Sequence, residues 1–138
     1  MINPSDLDLS ALLEKLSKLD PKLCDRVVDG YNVNCYSASG DRWMTVCLYL
    51  DDLQYGLSPK SLAYITAALQ QAIANYPGLH YQLKSSDDGV HASIWSAEDD
   101  DFTIDSVDGE ATIALLSAYV SWLESIEVRE WLESPIDD

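Results

Sequence analysis

The sequence predicts an α+β fold: one mainly antiparallel four-stranded sheet in the order α-β-β-α-β-β-α, with helices packed on its apolar face. Three observations carry this expectation. Segments with apolar residues at helical spacing alternate with pairs of short segments rich in aromatic and β-branched residues. Each pair encloses a turn signal, Ala-Ser-Gly-Asp at 38–41 and Asp88-Gly89. Prolines and glycines fall between these segments rather than within them.

Ser5–Leu19 reads as a helix, because Leu9, Leu12, Leu13, Leu16 and Leu19 lie on one face. Asp20-Pro21 ends it, since the residue before proline avoids the helical region. A short helical turn is expected over 21–28, stopped by Gly30. Tyr31–Ser37 and Arg42–Leu50 then form a hairpin. A two-residue loop at Ser39-Gly40 sets Tyr31 opposite Leu48, Val33 opposite Val46 and Cys35 opposite Met44. That face is wholly apolar. The other face carries Asn32, Asn34, Tyr36, Trp43, Thr45 and Tyr49, with Tyr36 and Trp43 as a cross-strand pair.

Ser58-Pro59 opens the second helix as N-cap and first helical residue. Its apolar stripe is Leu62, Ile65, Leu69, Ile73 and Tyr76, and Pro77-Gly78 closes it. The second hairpin joins Leu79–Ser86 to Val90–Ala97, with Leu83 opposite Ile94. Its other face holds His80, Gln82, Lys84, His91, Ser93 and Trp95. An acidic loop over 98–110 follows. An acidic helical segment over 108–134 begins at an Asp108 cap, with Ile113, Leu116, Val120 and Leu123 as its stripe. Gly40 and Gly89 lie 49 residues apart, and Ser58 and Asp108 lie 50 apart. Two ββα units are suggested, though these identities are too few to establish a duplication.

The length of 138 residues suits a single domain, 1–138, with its own core. A hydrophobic fraction of 47% argues against disorder. Met1–Leu19 has no basic n-region and no continuous apolar run, and no stretch reaches the ~20 apolar residues of a membrane span. The expectation is a soluble, cytoplasmic protein. Cys24, Cys35 and Cys47 are odd in number and form no C-x-x-C, so they read as reduced core thiols.

Charge is the most uneven property of the chain. Residues 85–138 hold fifteen acids and Arg129 as the one base, a net of −14. Residues 1–84 hold nine acids and seven bases, a net of −2, and the two halves sum to −16. With a pI near 4.1, direct binding to nucleic acid or to an anionic membrane is excluded, because both require Lys and Arg. A basic protein partner is the complement.

Two acidic regions are candidate partner-binding surfaces. Glu98, Asp99, Asp100, Asp101, Asp105 and Asp108 lie in a thirteen-residue segment, 98–110, with seven acids and no base. As a calcium loop starting at Asp101 it fails, having Ser106 where glycine and Thr112 where glutamate are needed. Glu124, Glu127, Glu130 and Glu133 recur every three residues, a rise of about 4.5 Å per acid along a helix. That is comparable with the ~3.4 Å between phosphates of one DNA strand. The aromatic residues Tyr36, Trp43 and Trp95, with Trp131 and Trp122 near the acidic end, are candidate anchors. Either the aromatic face is an interface, or the N-terminal helix covers it as a second core layer.

No catalytic motif is present: no G-x-S-x-G, no phosphate loop, no H-E-x-x-H. His80 and His91 have no Cys or His at metal spacing. Neither enzyme activity, cofactor nor metal is expected. The function expected is inhibition of a basic nucleic-acid-binding enzyme or effector complex, with carboxylates standing in for phosphates. Small virus-encoded proteins that block nucleases or CRISPR effectors use this device, and the chain resembles such phage counter-defence inhibitors in physical design. Two other readings share the composition: an immunity protein against a nuclease toxin, and a small acidic chaperone or adaptor acting as a homodimer.

Overall fold

The computed structural model describes residues 4–55, 57–96, 99–108 and 110–133. Its elements are α1 (Pro4–Leu19), β1 (Cys24–Val27), β2 (Gly30–Tyr36), β3 (Arg42–Tyr49) and α2 (Leu50–Tyr55). They continue with α3 (Pro59–Ala74), β4 (Leu79–Ser86), β5 (Gly89–Ser96), β6 (Asp99–Asp108) and α4 (Ala111–Glu133). The α+β class holds. The single four-stranded sheet does not: the strands form two antiparallel sheets, β1-β2-β3 and β4-β5-β6.

Each predicted hairpin recruits a third strand from a segment expected to be a helical turn or a loop. β1 replaces the helical turn expected over 21–28, pairing Cys24 with Val33 and Val27 with Gly30. β6 replaces the acidic loop over 98–110, pairing Ile104 with Ile94 and Asp108 with Val90. The third strands flank different partners. β1 joins the first strand of its hairpin and β6 the second strand, so the two units are not superposable repeats.

The first hairpin has the expected apolar register, Tyr31–Leu48, Val33–Val46 and Cys35–Met44. Its turn is wider than expected. Gly40, at φ +89°, closes a three-residue loop in which Gly40 N–H donates to Ser37 O and Ser37 N–H to Asp41 O, both at 2.9 Å. A bulge at Cys35/Tyr36 absorbs the extra residue and pairs Tyr36 with Arg42. The expected Tyr36–Trp43 pair is therefore absent. The second hairpin pairs Leu83 with Ala92 and Tyr81 with Ile94, two residues from the expected register. Asp87-Asp88 forms its loop instead of Asp88-Gly89, since Ser86 pairs with Gly89. An even shift keeps every side chain on its face.

Helices α1, α3 and α4 bury leucines and isoleucines between and against the sheets, in one core cluster. Ser58 caps α3, accepting from Ser61 N–H at 3.2 Å, and Ile65, Leu69 and Ile73 are buried as predicted. α4 packs against β5, β6, α1 and α3. It therefore buries more than one stripe: Leu115, Ala114, Ala118, Tyr119 and Trp122 join Leu116 and Val120 in the core. A sharp consequence concerns Leu115, which lies off the predicted stripe and is 0% exposed. Leu115→Ala is expected to cost about 2–5 kcal/mol in urea unfolding, like a core leucine. A loss below ~0.5 kcal/mol would mark it as a surface position.

Polar groups tie β1 to the core. Asn34 is 3% exposed, and its side chain donates to Lys22 O at 2.7 Å and accepts from Thr45 Oγ1 at 2.9 Å. Tyr31 Oη donates to Glu14 Oε2 at 2.8 Å, and Arg26 lies 3.6 Å from the same carboxylate. Cys24 and Cys35 are buried, but Cys47 is exposed, which corrects the expectation of three core thiols. It falls on the outer face of β3, opposite Asn32. No helix among the described residues is long and apolar enough to cross a membrane.

Candidate functional site

Among the described residues, the acidic half of the chain occupies one sheet and one helix. Asp99, Asp100, Asp101, Asp105 and Asp108 all belong to β6, an edge strand, and Glu124, Glu127, Glu130 and Glu133 to α4. Glu98 lies outside the described residues, and so do the side chains of 99–102 and 127–133. Asp105 is exposed on the outer face and accepts from Ser93 Oγ at 2.6 Å. Asp108 Oδ1 accepts from Glu110 N–H at 3.0 Å, and Glu110 O takes the first α4 bond, from Ala114 N–H. Asp108 thus shapes the turn into the helix from two residues before the cap. Glu124 is exposed, with Lys15 Nζ of α1 at 3.8 Å, a weak surface pair.

Sheet register places these acids at two ends. Val90 pairs with Asp108, so the Asp87-Asp88 turn, Asp108 and Glu110 gather at one end of the β4-β5-β6 sheet. Asp99 pairs with Ser96 at the other end. Six steps of β5, from Val90 to Ser96, separate the ends by about 20 Å, because the irregularity at Trp95/Ser96 takes up three residues of β6. α4 starts next to Asp108 and packs back along β5 and β6, and its 23 residues rise about 34 Å. Its second half runs along α1, with Glu124 beside Lys15.

The candidate aromatics do not share a surface. Trp43 and Tyr49 stand 60% and 55% exposed on the outer face of the first sheet, so α1 does not cover them. Tyr36 is half-buried and donates its hydroxyl to Lys22 O at 2.8 Å. Trp95 belongs to the second sheet, half-buried, stacked on His80 with centroids 5.9 Å apart. Trp122 is in the core, edge-on to Tyr76 at 4.7 Å, which corrects its reading as an anchor. Trp131 belongs to α4.

One constellation escaped the sequence reading. His91 Nε2 lies 2.9 Å from Ser86 Oγ and 3.3 Å from Asp88 Oδ1, and Ser86 Oγ donates to Asp88. Ser86 and His91 are five apart and meet only because the hairpin turn folds them together. The hydroxyl holds the Asp88 carboxyl below its ordinary value, with help from His91. Both contacts use the same ring nitrogen, so His91 cannot relay a proton from serine while a carboxylate orients its other nitrogen. This is a turn clasp on the rim of a 410 Å³ open groove lined by Gln82, Lys84 and Ser93.

A second groove of 360 Å³ lies between the Asp20-Lys22 segment, Tyr36, Asn75, Tyr76 and Tyr119. Tyr119 Oη there donates to Asp20 Oδ2 at 3.1 Å. Among the described residues, no three His, Cys, Asp or Glu side chains are grouped to hold a metal. Comparison with known proteins finds no matching family model, no matching curated protein and no matching solved structure.

Proposed function

We propose that the chain is a non-catalytic inhibitor that occupies the nucleic-acid channel of a basic protein, using β6 and α4 as its acidic surface. The observation that carries this reading is the concentration of acids on one edge strand and on the helix packed against it. Along the sheet the run is about 20 Å long, close to the rise of six base pairs of duplex. The ladder to β5 fixes the backbone spacing of the acidic residues of β6. The aliphatic core beneath, from Ile94 to Leu116, keeps that spacing independent of the partner. Long-range attraction of this kind speeds encounter and is screened by salt.

The test is capture of a basic protein from the native host's lysate, followed by binding measured across salt concentration. Affinity is expected to fall at least tenfold between low and physiological salt. Reversal of Glu124, Glu127 and Glu130 to lysine is expected to remove binding while leaving the far-UV spectrum intact. Binding that ignores both salt and charge reversal would overturn the proposal. A salt-insensitive complex with unfolded peptide would instead fit a chaperone or adaptor.

A further inference from the structure

β3 is the open edge of the first sheet, with no described strand on its far side. Leu50 N–H donates to Asp29 O at 2.8 Å, and the antiparallel ladder alternates from there. Met44, Val46 and Leu48 therefore turn their backbone groups toward β2. Thr45, Cys47 and Tyr49 turn theirs outward. Trp43, Thr45, Cys47 and Tyr49 are all exposed on the same outer face.

The strand is also polarised. It contains no acid between Asp41 and Asp51, in a chain of net charge −16. At its start, Arg42 is exposed and makes no ion pair with any described carboxylate. At its end, the exposed carboxylates Asp29 and Asp51 line a 420 Å³ open groove with Tyr49 and Leu50. A two-fold axis is the operation that brings each end of one strand against the opposite end of its copy.

We propose that β3 pairs antiparallel with β3 of a second copy, about a two-fold axis at Val46, making one continuous six-stranded sheet. This register sets Trp43 opposite Tyr49 of the second copy, twice, and Thr45 opposite Cys47. Arg42 meets Leu50 at the mouth of the Asp29–Asp51 groove. Sliding by two residues sets Trp43 opposite Cys47 or Asp51 and loses both aromatic pairs. Elsewhere the surface charge opposes self-association, so an acid-free edge with its own cation is where two copies can approach. The dimer and the inhibitor reading stand separately, since an acidic surface on β6 and α4 is free in either state.

Light scattering is expected to give twice the 15.3 kDa chain mass. Cys47→Pro removes an outward N–H without touching the β2–β3 ladder, and Arg42→Glu sets an acid against Asp29 and Asp51. Both variants are expected to become monomers with an unchanged far-UV spectrum. Adding Asp51→Arg to Arg42→Glu is expected to restore the dimer. Residues in such pairs lie about 5.5 Å apart at Cα, within disulfide reach. A Thr45→Cys variant in oxidised glutathione is therefore expected to give a covalent dimer, and T45C/C47S none. A parent protein that stays monomeric on concentration overturns the proposal. So does a dimer that survives Arg42→Glu, or a cross-link that persists in T45C/C47S.

Discussion

Gly30→Ala is expected to lose about 3 kcal/mol of stability or more, seen as a lowered urea midpoint with little change in slope. The reason is space. A β-carbon at Gly30 would sit 1.9 Å from Leu48 O and 3.0 Å from Tyr49 Cα, both backbone atoms of β3. Neither can rotate away. β2 and β3 would have to part at this end, straining the adjacent Leu50–Asp29 bond and exposing Tyr31 and Leu48. Gly40 offers the contrast. Its φ of +89° disfavours alanine, yet nothing lies within 4 Å of the added carbon. Gly40→Ala is expected to cost only about 1–2 kcal/mol. Equal losses at the two sites would mean that β3 does not pass close to Gly30.

Stability is expected to be level from neutral pH to about 9, then to fall steeply in alkali. Three buried groups hold their protons tightly. Burial, reinforced by Asp25 and Asp20, pushes the Cys24 thiol from 9.0 up to about 12. Burial and its bond to Glu14 push the Tyr31 hydroxyl from 10.0 up to about 12. Burial and then Asp20 push the Tyr119 hydroxyl well above 10.0. All three folded values are raised, so their contribution is complete below the unfolded values and is lost as pH rises toward the folded ones. Each group can contribute up to about 1.4 kcal/mol per pH unit, and the three together about 4 per pH unit, or about 6 between pH 10 and 12. Urea midpoints measured from pH 7 to 11 would check this, with Tyr31→Phe and Tyr119→Phe each flattening the fall. A midpoint unmoved at pH 11 would show that these groups meet solvent. The acid limb has a counterpart in Glu14, held below 4.5 chiefly by the Tyr31 hydroxyl. Its contribution is present above 4.5 and lost as pH falls through the lowered value.

Several elements were legible before any coordinates. The leucine spacing of α1, the Ser58-Pro59 start of α3 and the apolar face of the first hairpin are local patterns, repeated over enough residues to be unambiguous. Face assignment in the second hairpin survived a register error, because a slip of two residues preserves the faces. The candidate acids were legible as composition, and the Ser86–Asp88–His91 clasp was not, because it depends on which residues form the turn.

What composition and periodicity could not reveal was which segments complete the sheets. Cys24–Val27 is four residues long, too short for a period, and Asp99–Asp108 is rich in residues that strands ordinarily avoid. Each becomes a strand because the neighbouring hairpin edge offers it a ladder of hydrogen bonds, which the spacing of its own side chains does not announce. A long-range choice splits the strands into two sheets, with α3 packed against β2 and β4, one from each. Side-chain spacing thus decided which faces are apolar, since it acts between neighbours in the chain. Each strand pairs with its neighbour in the chain, but where one sheet ends and the other begins, and with it the acidic edge and the open edge, was decided by packing of helices against strands far away in sequence, which no local pattern encodes.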